Sequence, residues 1–110
     1  MANGRAGKLI KRIRNEILVA LKMLYPAPLQ AEQLYRSLLC LFPTLEWDAF
    51  RRDLAYLCEK GYLKRVVSDA EPDPDVPALT PWRKRWFRLS PSGLEVADHV
   101  VKDPALDQDR

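Results

Sequence analysis

The chain is expected to fold as one α+β domain in which helices pack on a small β-hairpin. Three observations predict this. Apolar residues recur at spacings of three and four in four separate segments, as a helix with one buried face requires. Two short segments, 62–67 and 84–89, change to a period of two, which is the mark of a strand. Pro26, Pro28, Pro43 and Gly61 fall between these segments, where the chain must turn. With 110 residues, 47% of them apolar, the chain is long enough for one hydrophobic core.

Residues 1–7 hold Asn3, Gly4 and Gly7 and are expected to be a flexible arm. A first helix is expected over 8–25, with Leu9, Ile13, Ile17, Ala20, Leu21 and Leu24 on one stripe and Lys11, Arg14 and Lys22 off it. Pro26 and Pro28 stop it. A second helix follows over about 30–41, with Glu32 in its first turn and Leu34, Leu38 and Leu41 as its stripe. The turn between these two helices leaves room for a short strand at Ala27–Leu29, pairing at the hairpin's edge.

Thr44 suits an N-cap, and a third helix is expected over 45–60. Phe50, Leu54 and Leu57 form its buried side, flanked by Trp47 and Cys58. At 100° per residue, Asp48, Arg52, Ala55 and Glu59 fall opposite, with Arg51 at the edge. Gly61 stands just past the end, where a left-handed residue is wanted. The strands 62–67 and 84–89 come next, with Phe87 and Leu89 on one face and Trp86 and Arg88 on the other. Between them, Ser68–Arg83 carries Pro72, Pro74, Pro77 and Pro81, which deny it a hydrogen-bond ladder, and Ser68–Pro81 is expected to be a mobile loop. Ser90 and Pro91 form a cap and a first helical residue, opening a last helix to Val101 with Leu94, Ala97 and Val101 inward. Residues 102–110 are expected to be a disordered acidic tail, which leaves 8–101 as the folded domain.

Composition excludes several functions. There is one histidine, His99, and the two cysteines, Cys40 and Cys58, are far from it and from each other. No zinc-ligand spacing, no phosphate-cradling glycine loop and no nucleophile–base pair is present, so the sequence points away from an enzyme and from cofactors or metals. Cys40 and Cys58 are expected to be buried thiols of a reducing, cytoplasmic compartment. No apolar run reaches the roughly 20 residues of a membrane span, and no signal peptide is visible.

The net charge of +3 conceals strong segregation. Residues 1–25 carry Arg5, Lys8, Lys11, Arg12, Arg14 and Lys22 against Glu16 alone. Asp69, Glu71, Asp73 and Asp75 make 66–81 purely acidic, and Arg83, Lys84, Arg85 and Arg88 make 82–88 purely basic. Two basic blocks around an acidic loop suggest a polyanionic partner and a restraint on it.

The segments LAYLCEKGYLKRVV at 54–67 and RWFRLSPSGLEVAD at 85–98 resemble the winged helix-turn-helix family. The resemblance lies in Leu54, Leu57, Gly61, Tyr62 and Leu63, then Phe87, Leu89, Ser90, Pro91 and Gly93, and it spans about 8–101. It is closest to small bacterial and phage transcriptional regulators. It implies a three-helix helix-turn-helix core with a β-hairpin wing and a C-terminal helix. Helix 45–60 becomes the recognition helix in a DNA major groove and 62–89 the wing.

Arg51, Arg52, Arg83, Lys84, Arg85 and Arg88 are then the candidate contacts to double-stranded DNA. Trp82 and Trp86 interleave the second group, and Lys8, Lys11, Arg12 and Arg14 are secondary candidates. The alternative for Arg51 and Arg52 is pairing with Asp48 and Glu59 along their own helix. The acidic loop 68–81 would be repelled by phosphate, which keeps a protein-interaction scaffold without DNA binding as the alternative function. Ile10, Leu18, Val19 and Tyr25 lie off the first stripe, and Leu94, Val96, Val100 and Val101 make the last helix apolar on several sides. Both suggest a homodimer through helices 8–25 and 91–101.

Overall fold

A computed structural model describes residues 3–66 and 81–106, with side chains from Gly7 onward. The elements in chain order are helix α1 (Asn3–Lys22), strand β1 (Leu29–Gln30), helix α2 (Ala31–Leu39), helix α3 (Trp47–Glu59), strand β2 (Leu63–Val66), a 3-10 turn (Trp82–Lys84), strand β3 (Trp86–Leu89) and helix α4 (Pro91–Ala97). The three strands form one antiparallel sheet in the order β1-β3-β2. The described residues therefore form an α+β fold, with four helices and a small sheet among them. Of the loop expected to be mobile, Ser68–Pro81, residues 68–80 lie outside the described residues, as do 107–110.

Helix α1 starts at Asn3, inside the segment expected to be an arm, and ends at Lys22, three residues early. Its buried stripe is Ile13, Ile17, Leu18 and Leu21, while Leu9 and Leu24 stand exposed. Helix α1 packs against α2, α3 and α4 at once, so it buries a wider and slightly rotated face. Leu18 is thereby committed to the core and is withdrawn from any dimer interface.

Helix α2 buries Leu34 and Leu38, but the helix stops at Leu39 and Leu41 is exposed. The cap of α3 is Glu46 rather than Thr44. The Tyr35 hydroxyl donates to the Leu45 carbonyl at 2.7 Å, and Leu45 turns into the core. That anchor keeps the chain extended through Glu46 before the helix begins.

Phe50, Leu54 and Leu57 are fully buried, as their spacing predicts. Replacing Leu54 with alanine should cost about 2–5 kcal/mol in a thermal or denaturant melt. A melt identical to that of the parent would show that α3 does not pack by this stripe.

Gly61 ends α3 with φ at +82°. Tyr62 N–H donates to the Leu57 carbonyl and Gly61 N–H to the Cys58 carbonyl, both at 3.0 Å, which is the Schellman arrangement. The short strand expected at Ala27–Leu29 forms at Leu29–Gln30, with Leu29 opposite Phe87. Lys84 and Arg85 do not join β3, because the 3-10 turn holds this stretch through Lys84 N–H to the Pro81 carbonyl at 2.9 Å.

Ser90 caps α4 by accepting from Gly93 N–H at 3.0 Å while donating to the Gly61 carbonyl at 2.5 Å. Helix α4 ends at Ala97, and His99 takes a positive φ of 62°. Val101, expected inward, is exposed. Residues 102–106 are not a free tail. Leu106 enters the core, and Asp103 is buried against Tyr62 and Lys60.

The Tyr62 hydroxyl and the Lys60 ammonium reach the Asp103 carboxylate at 2.5 and 3.1 Å. Burial alone would raise the Asp103 pKa, but Tyr62, the Ala105 amide and Lys60 outweigh it and hold the carboxyl below its ordinary value. Burial and the same contact push the Tyr62 hydroxyl up to about 12. Cys40 is exposed rather than buried, and half-buried Cys58 is pushed up to about 11, chiefly by burial.

Candidate nucleic-acid interface

Helix α3 begins in an aromatic cluster. Trp47 and Phe50 from α3 pack on Tyr35 from α2, with ring centroids 5.3–5.5 Å apart. Next to it, the Gln30 side chain donates to the Lys84 carbonyl at 3.1 Å and the Ala31 N–H to the Arg85 carbonyl at 2.9 Å. These bonds pin the basic 81–85 segment to the start of α2. The Arg83 guanidinium consequently lies over the Trp47 ring, 4.2 Å from its centroid. Arg51 follows Trp47 by one helical turn and so lies on the same side of α3. Bases distant in sequence are thus brought to one surface: Arg51 on α3, and Arg83 held over Trp47 one turn before it.

The other candidates separate. Arg52 is exposed on the opposite flank of α3, toward α1. Arg85 stacks on Trp82 at 4.6 Å, and Trp82 in turn stacks on Phe87 at 5.8 Å. Arg88 sits on the outward face of the sheet, across from Lys64. The basic run 82–88 is therefore two sites, because strand alternation and the 3-10 turn aim its members differently. Among the described residues, neither Arg51 nor Arg52 is ion-paired with Asp48 or Glu59.

Arg14 proves structural. Its Nε donates to the Asp53 carboxylate at 3.0 Å, and its guanidinium lies 3.8 Å from the Tyr56 centroid. Arg12 lies over Phe42, and Lys8 and Lys11 remain exposed. Asp53 is buried, and burial raises its pKa despite the opposing pull of Arg14. No sequence pattern links two charges 39 residues apart, so this pair was not legible beforehand.

An open groove of about 910 Å³ runs between α1, the turn before α3 and the outer flank of α3. Exposed Leu9, Ile10 and Leu41 line it, with Arg12 and Arg52 against Glu46 and Glu59 at its rim. Among the described residues, no group of three or more His, Cys, Asp or Glu side chains is placed to hold a metal. No described helix is long and apolar enough to cross a membrane. Comparison with family models, curated proteins and solved structures finds no match for this chain.

Proposed function

We propose that this protein binds double-stranded DNA as a winged-helix transcriptional regulator, with α3 as recognition helix and the β2–β3 hairpin as wing. The order helix, strand, helix, helix, hairpin supports the reading. The observation that carries it is Arg83 held on Trp47, because this adds a base from the hairpin to the side of α3 that bears Arg51. An α-helix fits the major groove, where arginine takes two hydrogen bonds from guanine.

If Arg83, Lys84 and other exposed bases of the domain neutralise about four phosphates, duplex affinity should fall about 100-fold between about 50 and 200 mM salt. Replacing Arg83 and Lys84 with alanine should weaken all sequences alike and flatten that dependence, since phosphate contacts carry no sequence information. Replacing Arg51 and Arg52 should instead reduce discrimination between sites. Fluorescence anisotropy with labelled duplexes reads both effects. Absence of duplex binding at the lowest salt overturns the reading.

The protein-interaction scaffold then takes its place, and the groove beside α3 favours it. Its apolar centre and balanced charged rim suit a second copy of this chain, since a two-fold contact must be self-complementary.

A further inference from the structure

The outward face of the sheet is a different surface from α3. The register places Lys64 opposite Arg88, and both Val66 and Gln30 opposite Trp86. Alternation turns Leu63, Phe87 and Leu89 into the core and leaves Lys64, Val66, Trp86, Arg88 and Gln30 facing out. No carboxylate belongs to this set.

Trp86 is 40% exposed, whereas Phe87 beside it is 2% exposed. Trp47 and Trp82 are half-buried and each carries an arginine over its ring. Among the described residues, no ring or cation packs on Trp86. An open indole face beside a positively charged pair is unfinished as a structural element.

The pair itself asks for an anion. Like charges directly opposite on neighbouring strands destabilise a sheet. None of the ion pairs among the described residues engages Lys64 or Arg88. Arg88 gives one Nη1 bond to the Leu89 carbonyl at 3.2 Å, which steadies the guanidinium and leaves its other donors open.

We propose that this sheet face binds an unpaired nucleic-acid strand, with Trp86 stacking on a base and Lys64 and Arg88 holding the adjoining phosphates. Residues 86 and 88 are separated by about 7 Å along the strand, a span comparable to that from a base to its phosphate. A base exposes its flat face only when it is unpaired, and stacking on tryptophan tolerates any base. A duplex presents edges and phosphates instead, which suits α3 and leaves an indole face without a role. The site lies apart from α3 and does not rest on the duplex reading.

The test uses the full chain with fluorescent oligothymidine, oligouridine and a random-sequence duplex. Trp86→Ala should weaken binding of the single strands about 10-fold, while Trp86→Phe, which keeps a ring, retains most of it. A Lys64→Ala, Arg88→Ala double variant should weaken the same strands and lower the slope of log affinity against log salt by about 1.4. Trp86→Ala should affect the duplex far less than the single strands, because a paired base has no free face to stack on the indole. Oligothymidine and oligouridine distinguish a DNA strand from an RNA strand, and binding of either supports the site. Thermal melts of the variants confirm that each is folded.

Single-strand binding that ignores Trp86→Ala overturns the proposal, as does no single-strand binding at low salt. Polyglutamate bound as tightly as the oligonucleotides would reduce the face to a merely charged surface and also overturns it. Loss of duplex binding alone would sink the recognition-helix reading and leave this one standing.

Discussion

Replacing Gly93 with alanine should cost about 3 kcal/mol or more and lower the melting temperature by more than about 10 °C. An added Cβ would lie 2.1 Å from the Tyr62 carbonyl oxygen and 2.9 Å from Leu89 Cδ1. The nearer atom is backbone. It is held there because the Tyr62 carbonyl accepts Ser90 N–H at 2.9 Å and Tyr62 N–H closes the Schellman turn. Moving α4 away would also break the Ser90 hydroxyl bond to Gly61. The obstruction is therefore steric and local, not a matter of glycine's backbone freedom. Gly7→Ala is the control: nothing lies within 4 Å of that position, which is inside α1. There alanine should stabilise by about 0.5–1 kcal/mol. Equal melting of Gly93→Ala and the parent would refute the close approach of α4 to the α3–β2 turn.

Arg14→Met should destabilise by about 3 kcal/mol at neutral pH, the low end for a broken buried pair because Arg14 retains some exposure. The substitution leaves the Asp53 carboxylate buried without its partner. Burial already raises the Asp53 pKa, and removing Arg14 takes away the largest opposing effect. A carboxyl with a raised folded pKa binds its proton more tightly in the folded state. The stability it contributes is present below the unfolded value of about 3.9 and is lost as pH rises through the folded pKa. The deficit of Arg14→Met should therefore shrink as pH falls from about 7 toward 4. The double variant Arg14→Met, Asp53→Leu should recover most of the loss, since an apolar pair of similar volume replaces a buried ion pair at little cost. Denaturant melts across that range check both expectations. A pH-independent deficit would assign the loss to the Arg14 stem leaving Tyr56 rather than to charge.

These two positions mark where local pattern stops being informative. Gly93 is visible in the sequence only as a glycine after Ser90 and Pro91. Its necessity comes from the Tyr62 carbonyl in the turn between α3 and β2. Arg14 looks like a solvated base off an apolar stripe, and only the packing of α1 on α3 turns it into the partner of Asp53.

Local physics determined the elements whose causes lie within a few residues. The run Phe50, Leu54, Leu57 specifies the buried side of α3, Gly61 its end, and Ser90 with Pro91 the start of α4. Period-two alternation specifies which face of β3 is inward. The segregation of charge was equally plain in the sequence and marked the basic run 82–88, whereas Arg51 and Arg52 were singled out by the resemblance. Tertiary structure decided everything that depends on how elements meet. It rotated the face of α1 from Leu9 to Leu18, because a helix touched on several sides buries more than one stripe. It drew Asp103 and Leu106 into the domain through Tyr62 and Lys60, although the acidic segment 102–110 reads as a tail. It also divided the basic run, placing Arg83 over Trp47 and Arg88 across from Lys64. The physical reason is one of range. Capping, turn geometry and periodicity act over one or two turns of chain, whereas stacking, ion pairing and burial act between whichever residues the fold brings within a few ångströms.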